Sequence, residues 1–127
     1  MIEEIRKIGI LGGTGALGSA LTKKWAIAGY EILIGSRDPV KAQKIATQVN
    51  SELNVNNIQG LDSKAAARES DISVLTVPYS SHADTLNLVK EDLKGKILID
   101  TTVPLKEMVT KVQLPAIGSA AMEAQII

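Results

Sequence analysis

Cysteine is absent from this 127-residue chain, so disulfides, thiolate metal sites and a cysteine nucleophile are all excluded. Histidine occurs once, as His82, which rules out a multi-histidine metal centre. Aromatic residues are nearly as scarce. Trp25, Tyr30 and Tyr79 are the whole set, too few for a base-stacking nucleic-acid surface. Neither sign of charge dominates: fourteen basic and fourteen acidic residues cancel, which leaves little electrostatic attraction to DNA or to an anionic membrane. No uninterrupted apolar run reaches membrane-spanning length. The opening Met1 to Lys7 runs straight into a strand-like segment, without a signal peptide's apolar core and cleavage site. These absences lead to the expectation of a soluble, cytoplasmic protein that binds neither nucleic acid nor membrane and holds no metal.

What the chain does have is Ile, Leu, Val and Ala. Its hydrophobic fraction of 45% is enough for a real core, and its length fits one domain. Short apolar runs alternate with helical patterns, the sign of a parallel sheet covered by helices. Ile8 to Leu11 reads as a buried first strand. Leu17, Leu21, Trp25 and Ala28 recur at helical spacing, with Gly29 placed as a helix C-terminal glycine. Ile32 to Ile34 is a second strand closed by Gly35, and Asp38-Pro39 is a helix-starting pair. Ala42, Ile45, Ala46 and Val49 supply an amphipathic stripe. Val55 to Gln59 is assigned to a short edge strand, and Asp62 caps a short helix through Ala65, Ala66 and Ala67. A fourth strand spans Ile72 to Val77 and is broken by Pro78. Ser80 or Ser81 then caps a helix with Leu86, Val89 and Leu93 on its apolar face, and Ile97 to Ile99 form a fifth strand closed by Asp100. From Thr101 to Gly118 the pattern is loop-like, and Ser119 opens a last helical pattern. The expected fold is α/β: a Rossmann-type, doubly wound parallel sheet in three layers, α/β/α. A fold of this kind normally adds another strand, so the expectation includes truncation after about five strands.

Gly13-Thr14-Gly15-Ala16-Leu17-Gly18 matches G-x-G-x-x-G. The pattern is common by itself and gains weight because it follows the first strand and opens the first helix. Gly13, next to Gly12, is assigned the tight turn. Gly15 lets a pyrophosphate approach backbone N–H groups, and Gly18 lets helix pack closely on strand. The helix N-terminus favours a bound phosphate, and Thr14 adds a hydroxyl donor. The competing reading is a turn that only reverses the chain. The second strand ends Gly35-Ser36-Arg37, where NAD-preferring sites place a carboxylate for the ribose 2′-hydroxyl. A hydroxyl and a guanidinium in that place suit a 2′-phosphate, and Lys41 lies one helical turn further on. Against this stands the plain alternative that Arg37 and Lys41 are solvated surface charges. The ligand expected is NADP(H), and residues 1–127 are read as one NADP-binding domain.

Val77-Pro78-Tyr79 and Thr101-Thr102-Val103-Pro104 lie at strand C-termini near the expected switch point, where they can flank a nicotinamide ring. Simple strand termination accounts for both prolines as well. His82 falls in the first turn of the following helix, where it either touches a phosphate or substrate or is an exposed helix-start histidine. Asp71, Asp84 and Asp100 are scattered among helix and strand ends and are read as caps. No Ser/His/Asp set, paired carboxylates or Tyr-x-x-x-Lys pair emerges, so no catalytic side chain is assigned. A redox enzyme of this kind needs only to position donor and acceptor rings.

Ile10 to Gly18 with Gly35-Ser36-Arg37 resembles the NADPH-dependent coenzyme F420 reductase family. Leu75 to Tyr79, Val103-Pro104-Leu105 and Gly118 to Ala121 are similar to later family segments. The resemblance covers essentially the whole chain in order. It implies that Thr14 and the loop backbone (Gly12, Gly13, Gly15, Ala16 and Leu17) hold the pyrophosphate. Ser36, Arg37 and Lys41 then hold the 2′-phosphate, while Val77, Pro78, Val103 and Pro104 border the nicotinamide and the deazaflavin; Tyr79 and His82 stay cofactor-side candidates by position alone. It further implies hydride transfer between NADP(H) and coenzyme F420, or a similar small-molecule redox acceptor, and it admits a homodimer. Members of that family continue past the equivalent of Ile127, and the continuation helps form the deazaflavin pocket. A non-catalytic NADP(H)-sensing module, or a fragment without the acceptor site, is therefore the alternative.

Overall fold

The computed structural model describes residues 6–12 and 14–101. Within them strands and helices alternate as β1 (Lys7–Leu11), α1 (Ala16–Ile27), β2 (Glu31–Ser36), α2 (Pro39–Leu53), β3 (Ile58–Asp62), α3 (Ser63–Glu69), β4 (Ile72–Leu75), α4 (Tyr79–Val89) and β5 (Ile97–Asp100). The sheet order is β3-β2-β1-β4-β5, and every pairing is parallel. The chain therefore builds outward from β1 to β3, then crosses back to lay β4 on the other side of β1. That reversal makes the C-terminal ends of β1 and β4 the topological switch point, the place where open α/β sheets bind ligands in a crevice.

Strand alternation divides the core in two. Ile8, Ile10, Ile32, Ile34 and Val74 face α1 and α2, meeting Ala26, Ala42, Ala46 and Val49. Leu11, Leu33 and Leu75 face the other way, against Ala66, Ala67, Leu86 and Val89 of α3 and α4. Burial on both faces explains why β1, β2 and β4 read as continuous apolar runs. Each large aliphatic side chain removed from water contributes roughly 1.5–3 kcal/mol. The expected three-layer α/β/α arrangement is thus present.

The caps are local and largely as expected. Asp38 accepts a hydrogen bond from the Lys41 amide at 3.1 Å, and Asp62 accepts one from the Ala65 amide at 2.8 Å. Gly29 follows α1 with φ +102°, and Asn54 ends α2 in the left-handed region. Asp71 behaves differently from a helix cap. Its carboxylate accepts from the amides of Lys7 and Arg6, both at 2.9 Å. Those two bonds hold its carboxyl below the ordinary aspartate value.

Several expectations shift. The buried line of α1 is Gly18, Thr22 and Ala26, one residue on from the expected stripe. Leu17 and Ala28 are exposed, whereas Leu21 and Trp25 pack at the rim of the core. Short side chains at i, i+4 and i+8 let the helix axis come close to the sheet, and that gain outweighs burial of the bulkier neighbours. The edge strand occupies Ile58–Asp62 rather than Val55 to Gln59, because α2 runs on to Leu53. β2 continues through Gly35 and Ser36. β4 ends at Leu75, two residues early, where the chain turns toward Pro78. Neither Ser80 nor Ser81 caps α4; its N-cap is Pro78. The loop and helix expected after Thr101 lie outside the described residues. No helix among the described residues is long and apolar enough to cross a membrane.

Candidate dinucleotide site

The turn between β1 and α1 is set by Gly12. Its φ is +82°, and a Cβ there would lie 2.6 Å from Val77 Cγ1, so a side chain is excluded by conformation and by space. Its amide donates to the Gly35 carbonyl at 2.9 Å, which carries the β1–β2 ladder one residue beyond the strand. Gly12 thus carries the constraint of a tight turn, and Gly13, to which the sequence pattern assigns that role, lies outside the described residues.

Gly15 is a glycine of another kind. It is the N-cap of α1, with φ −84° and ψ 177°, extended backbone that any residue adopts. Among the described residues, a Cβ there would meet only the Gly12 carbonyl oxygen, at 3.8 Å. Neither the fold nor the backbone requires glycine at this position. What its bareness preserves is open space directly before a helix whose N-terminus has no side-chain cap and no acid in its first turn. The amides there point at that space with the positive end of the helix dipole behind them. Thr14 is half-buried beside the turn, and Ala16 and Leu17 are exposed. Gly18 is buried, as close helix–strand packing needs.

The end of β2 lies alongside β1, since Leu11 pairs with Gly35. The Ser36 hydroxyl accepts the Asp38 amide at 3.1 Å, so its own proton remains available to donate. Arg37 and Lys41 are exposed, and their charged ends take part in none of the ion pairs among the described residues. Two carboxylates lie close by: Asp38 is the cap of α2, and Asp62, paired in register with Ser36, is the cap of α3. The donors gathered at this corner, Ser36, Arg37 and Lys41, suit a phosphate.

Across the crevice the polar groups are tied up internally. Thr76 donates to the Leu11 carbonyl through its amide at 2.9 Å and its hydroxyl at 3.0 Å. Thr101 does the same to Leu75, at 3.1 Å and 2.6 Å. These bonds extend the sheet past the strand ends of β4 and β5. Val77 is half-buried against Gly12, Pro78 is exposed, and Tyr79 is half-buried. His82 is fully buried, which removes the reading of an exposed helix-start histidine. Its Nε2 lies 2.7 Å from Asp100 Oδ2, so Asp100 is a buried partner and not a strand-end cap. Sequence reading missed this pair. The available signal was alternation: Asp100 shares a parity with Leu98, which packs on the α4 side of the sheet. Val103 and Pro104 lie outside the described residues. Among the described residues no three potential metal ligands come together.

The family described as NADP oxidoreductase, coenzyme F420-dependent, matches residues 7–104. The chain belongs to that family. The F420-dependent NADP reductase of Methanothermobacter marburgensis is 45% identical over 101 residues, covering 78% of this chain and 45% of the relative. The enzyme of the same name from Methanocaldococcus jannaschii is 38% identical over 127 residues, covering 94% of this chain and 56% of the relative. This family member spans about half the length of the curated relatives it matches. A crystal structure from Arthrobacter sp. fb24, assigned as an F420-dependent NADP reductase, superimposes with TM-score 0.77 at 25% identity, over 94% of this chain and 56% of the other. The resemblance read from the glycine turn and the Ser36-Arg37 pair was correct at the level of family.

Proposed function

We propose that residues 1–127 act as the NADP(H)-binding half of an oxidoreductase that exchanges a hydride with coenzyme F420 or a similar small-molecule acceptor. The observation that carries this reading is Gly15, a glycine that the fold does not need, placed before an uncapped helix N-terminus. The pyrophosphate is held there by the first-turn amides and Thr14. The 2′-phosphate is held by Ser36 and Arg37, with Lys41 contributing charge from α2. Val77, Pro78 and Tyr79 border the nicotinamide side of the crevice. When bound, NADP(H) supplies the nicotinamide carbon that gives or takes the hydride. The protein's part is to orient that ring and exclude water, which needs no acidic or basic side chain. Net charge zero fits a protein without affinity for nucleic acid, a cytoplasmic location is part of the proposal, and family membership admits a homodimer.

Calorimetric titration tests the cofactor. NADPH is expected to bind at least tenfold more tightly than NADH, a difference of about 1.4 kcal/mol. Equal affinities would remove the NADP claim. Replacing Arg37 with Asp is expected to cancel the preference while leaving NADH binding unchanged, and a preserved ratio would count against Arg37 as the phosphate clamp. An acceptor screen with F420, flavins and ferric complexes tests the chemistry. Binding of NADPH without turnover on any of them would reduce the function to a sensing module.

A further inference from the structure

His82 and Asp100 belong to different elements on the nicotinamide side, and neither has a part in the binding scheme above. His82 is in the first turn of α4 and Asp100 is the last residue of β5. Their side chains meet at 2.7 Å, with His82 fully buried and Asp100 nearly so. The Tyr79 ring stacks over the His82 imidazole, centroids 6.1 Å apart and planes inclined by 28°. One residue beyond Asp100, Thr101 bonds back to Leu75 at the end of β4. Two residues beyond Leu75, Val77 presses on Gly12. A closed circuit of contacts thus joins the loops that follow β1, β4 and β5.

A buried polar pair is a poor source of net stability, because desolvation offsets most of its attraction and well-packed apolar residues do as well. What such a pair does supply is direction. A hydrogen bond at 2.7 Å fixes the imidazole plane in a way that aliphatic packing does not. Fixing that plane fixes the ring stacked on it. We infer that the His82–Asp100 hydrogen bond is a positioning strut that sets Tyr79 and the start of α4 as the wall against which the nicotinamide ring is oriented. His82 acts through Tyr79 and does not itself touch the dinucleotide. The inference rests on the proposed NADP(H) function and adds to it a residue pair responsible for one half of the ligand only.

That selectivity gives the test. Affinities of the protein are measured for NADPH and for adenosine 2′,5′-bisphosphate, which carries the 2′-phosphate and adenine but no nicotinamide. His82→Leu, which fills the buried volume without the hydrogen bond, is expected to weaken NADPH about tenfold. Binding of the bisphosphate stays within about twofold. Asp100→Asn keeps the shape and a weaker hydrogen bond, and it is expected to show the same selectivity at about threefold. If the leucine variant does not fold, the asparagine variant decides. His82→Gln, with an amide donor facing Asp100, is expected to restore most of the NADPH affinity. Equal losses for both ligands, or no loss for either, overturn the strut. A parent chain that binds neither ligand overturns the dinucleotide reading and the strut with it, and is distinguishable from both.

Discussion

At the ends of β1 and β2 the chain leaves its polar groups facing outward, whereas at the ends of β4 and β5 it pairs them with one another. The first region presents an uncapped helix, a bare Gly15, and Arg37 and Lys41 without ion-pair partners among the described residues. The second presents threonines bonded to strand carbonyls and a histidine buried against an aspartate. Unmet hydrogen-bonding capacity and exposed cationic donors are what a phosphate-bearing ligand satisfies. A ring that must be oriented, by contrast, needs a wall that does not move. The two regions are thus suited to opposite ends of one dinucleotide.

The comparison is broken most severely at the point where the two regions touch. Gly12→Val forces a β-branched residue into φ +82° and places its Cβ 2.6 Å from Val77 Cγ1. A loss of about 2–4 kcal/mol is expected from left-handed strain plus overpacking. Chemical denaturation measures it, and a loss below about 1 kcal/mol would mean the turn adapts more readily than its contacts suggest.

Gly15→Ser separates folding from binding within the first region. Serine is a good N-cap and the backbone there is ordinary, so the thermal midpoint is expected to hold or rise. The added side chain fills the phosphate space, and NADPH affinity is expected to fall at least tenfold, about 1.4 kcal/mol. A variant that binds NADPH unchanged would show that the bareness of Gly15 has no bearing on the ligand.

The smallest effect belongs to the far end of the sheet, away from both regions. Asp71 has a carboxyl held below its ordinary value of 3.8 by the amides of Lys7 and Arg6. Because the folded value is the lower one, the stabilisation is present above about pH 4 and is lost as pH falls through the folded value. The group is largely solvated, so Asp71→Asn is expected to cost under about 1 kcal/mol at neutral pH. It should leave NADPH affinity unchanged. A pH-stability profile of the variant that parallels the parent below pH 4 would remove the linkage.

Much of this architecture was legible in the chain because its causes are local. Asp38-Pro39, Asp62 and Gly29 mark helix ends through bonds that span three or four residues. The aliphatic runs at Ile8, Ile32 and Ile72 mark strands buried on both faces, and the run at Ile97 marks an edge strand exposed on one face. The misreadings have non-local causes. Leu17 and Leu21 look like the core of α1, yet close approach to the sheet favours Gly18, Thr22 and Ala26. Asp100 looks like a strand-end cap, and its partner lies eighteen residues earlier on another element.

The sequence by itself determined the layered α/β class, the family, the glycine-rich turn and the Ser36-Arg37 pair that ends the second strand. Each of these depends on residue type at short spacing, and short spacing is set by backbone geometry alone. Only the tertiary structure decided that Gly12 carries the turn, that Gly15 is bare without structural need, and that His82 is buried against Asp100. Those outcomes depend on which strand ends the sheet order brings together. Crossing back from β3 to β4 sets Val77 beside Gly12, and pairing β5 with β4 sets Asp100 beneath α4.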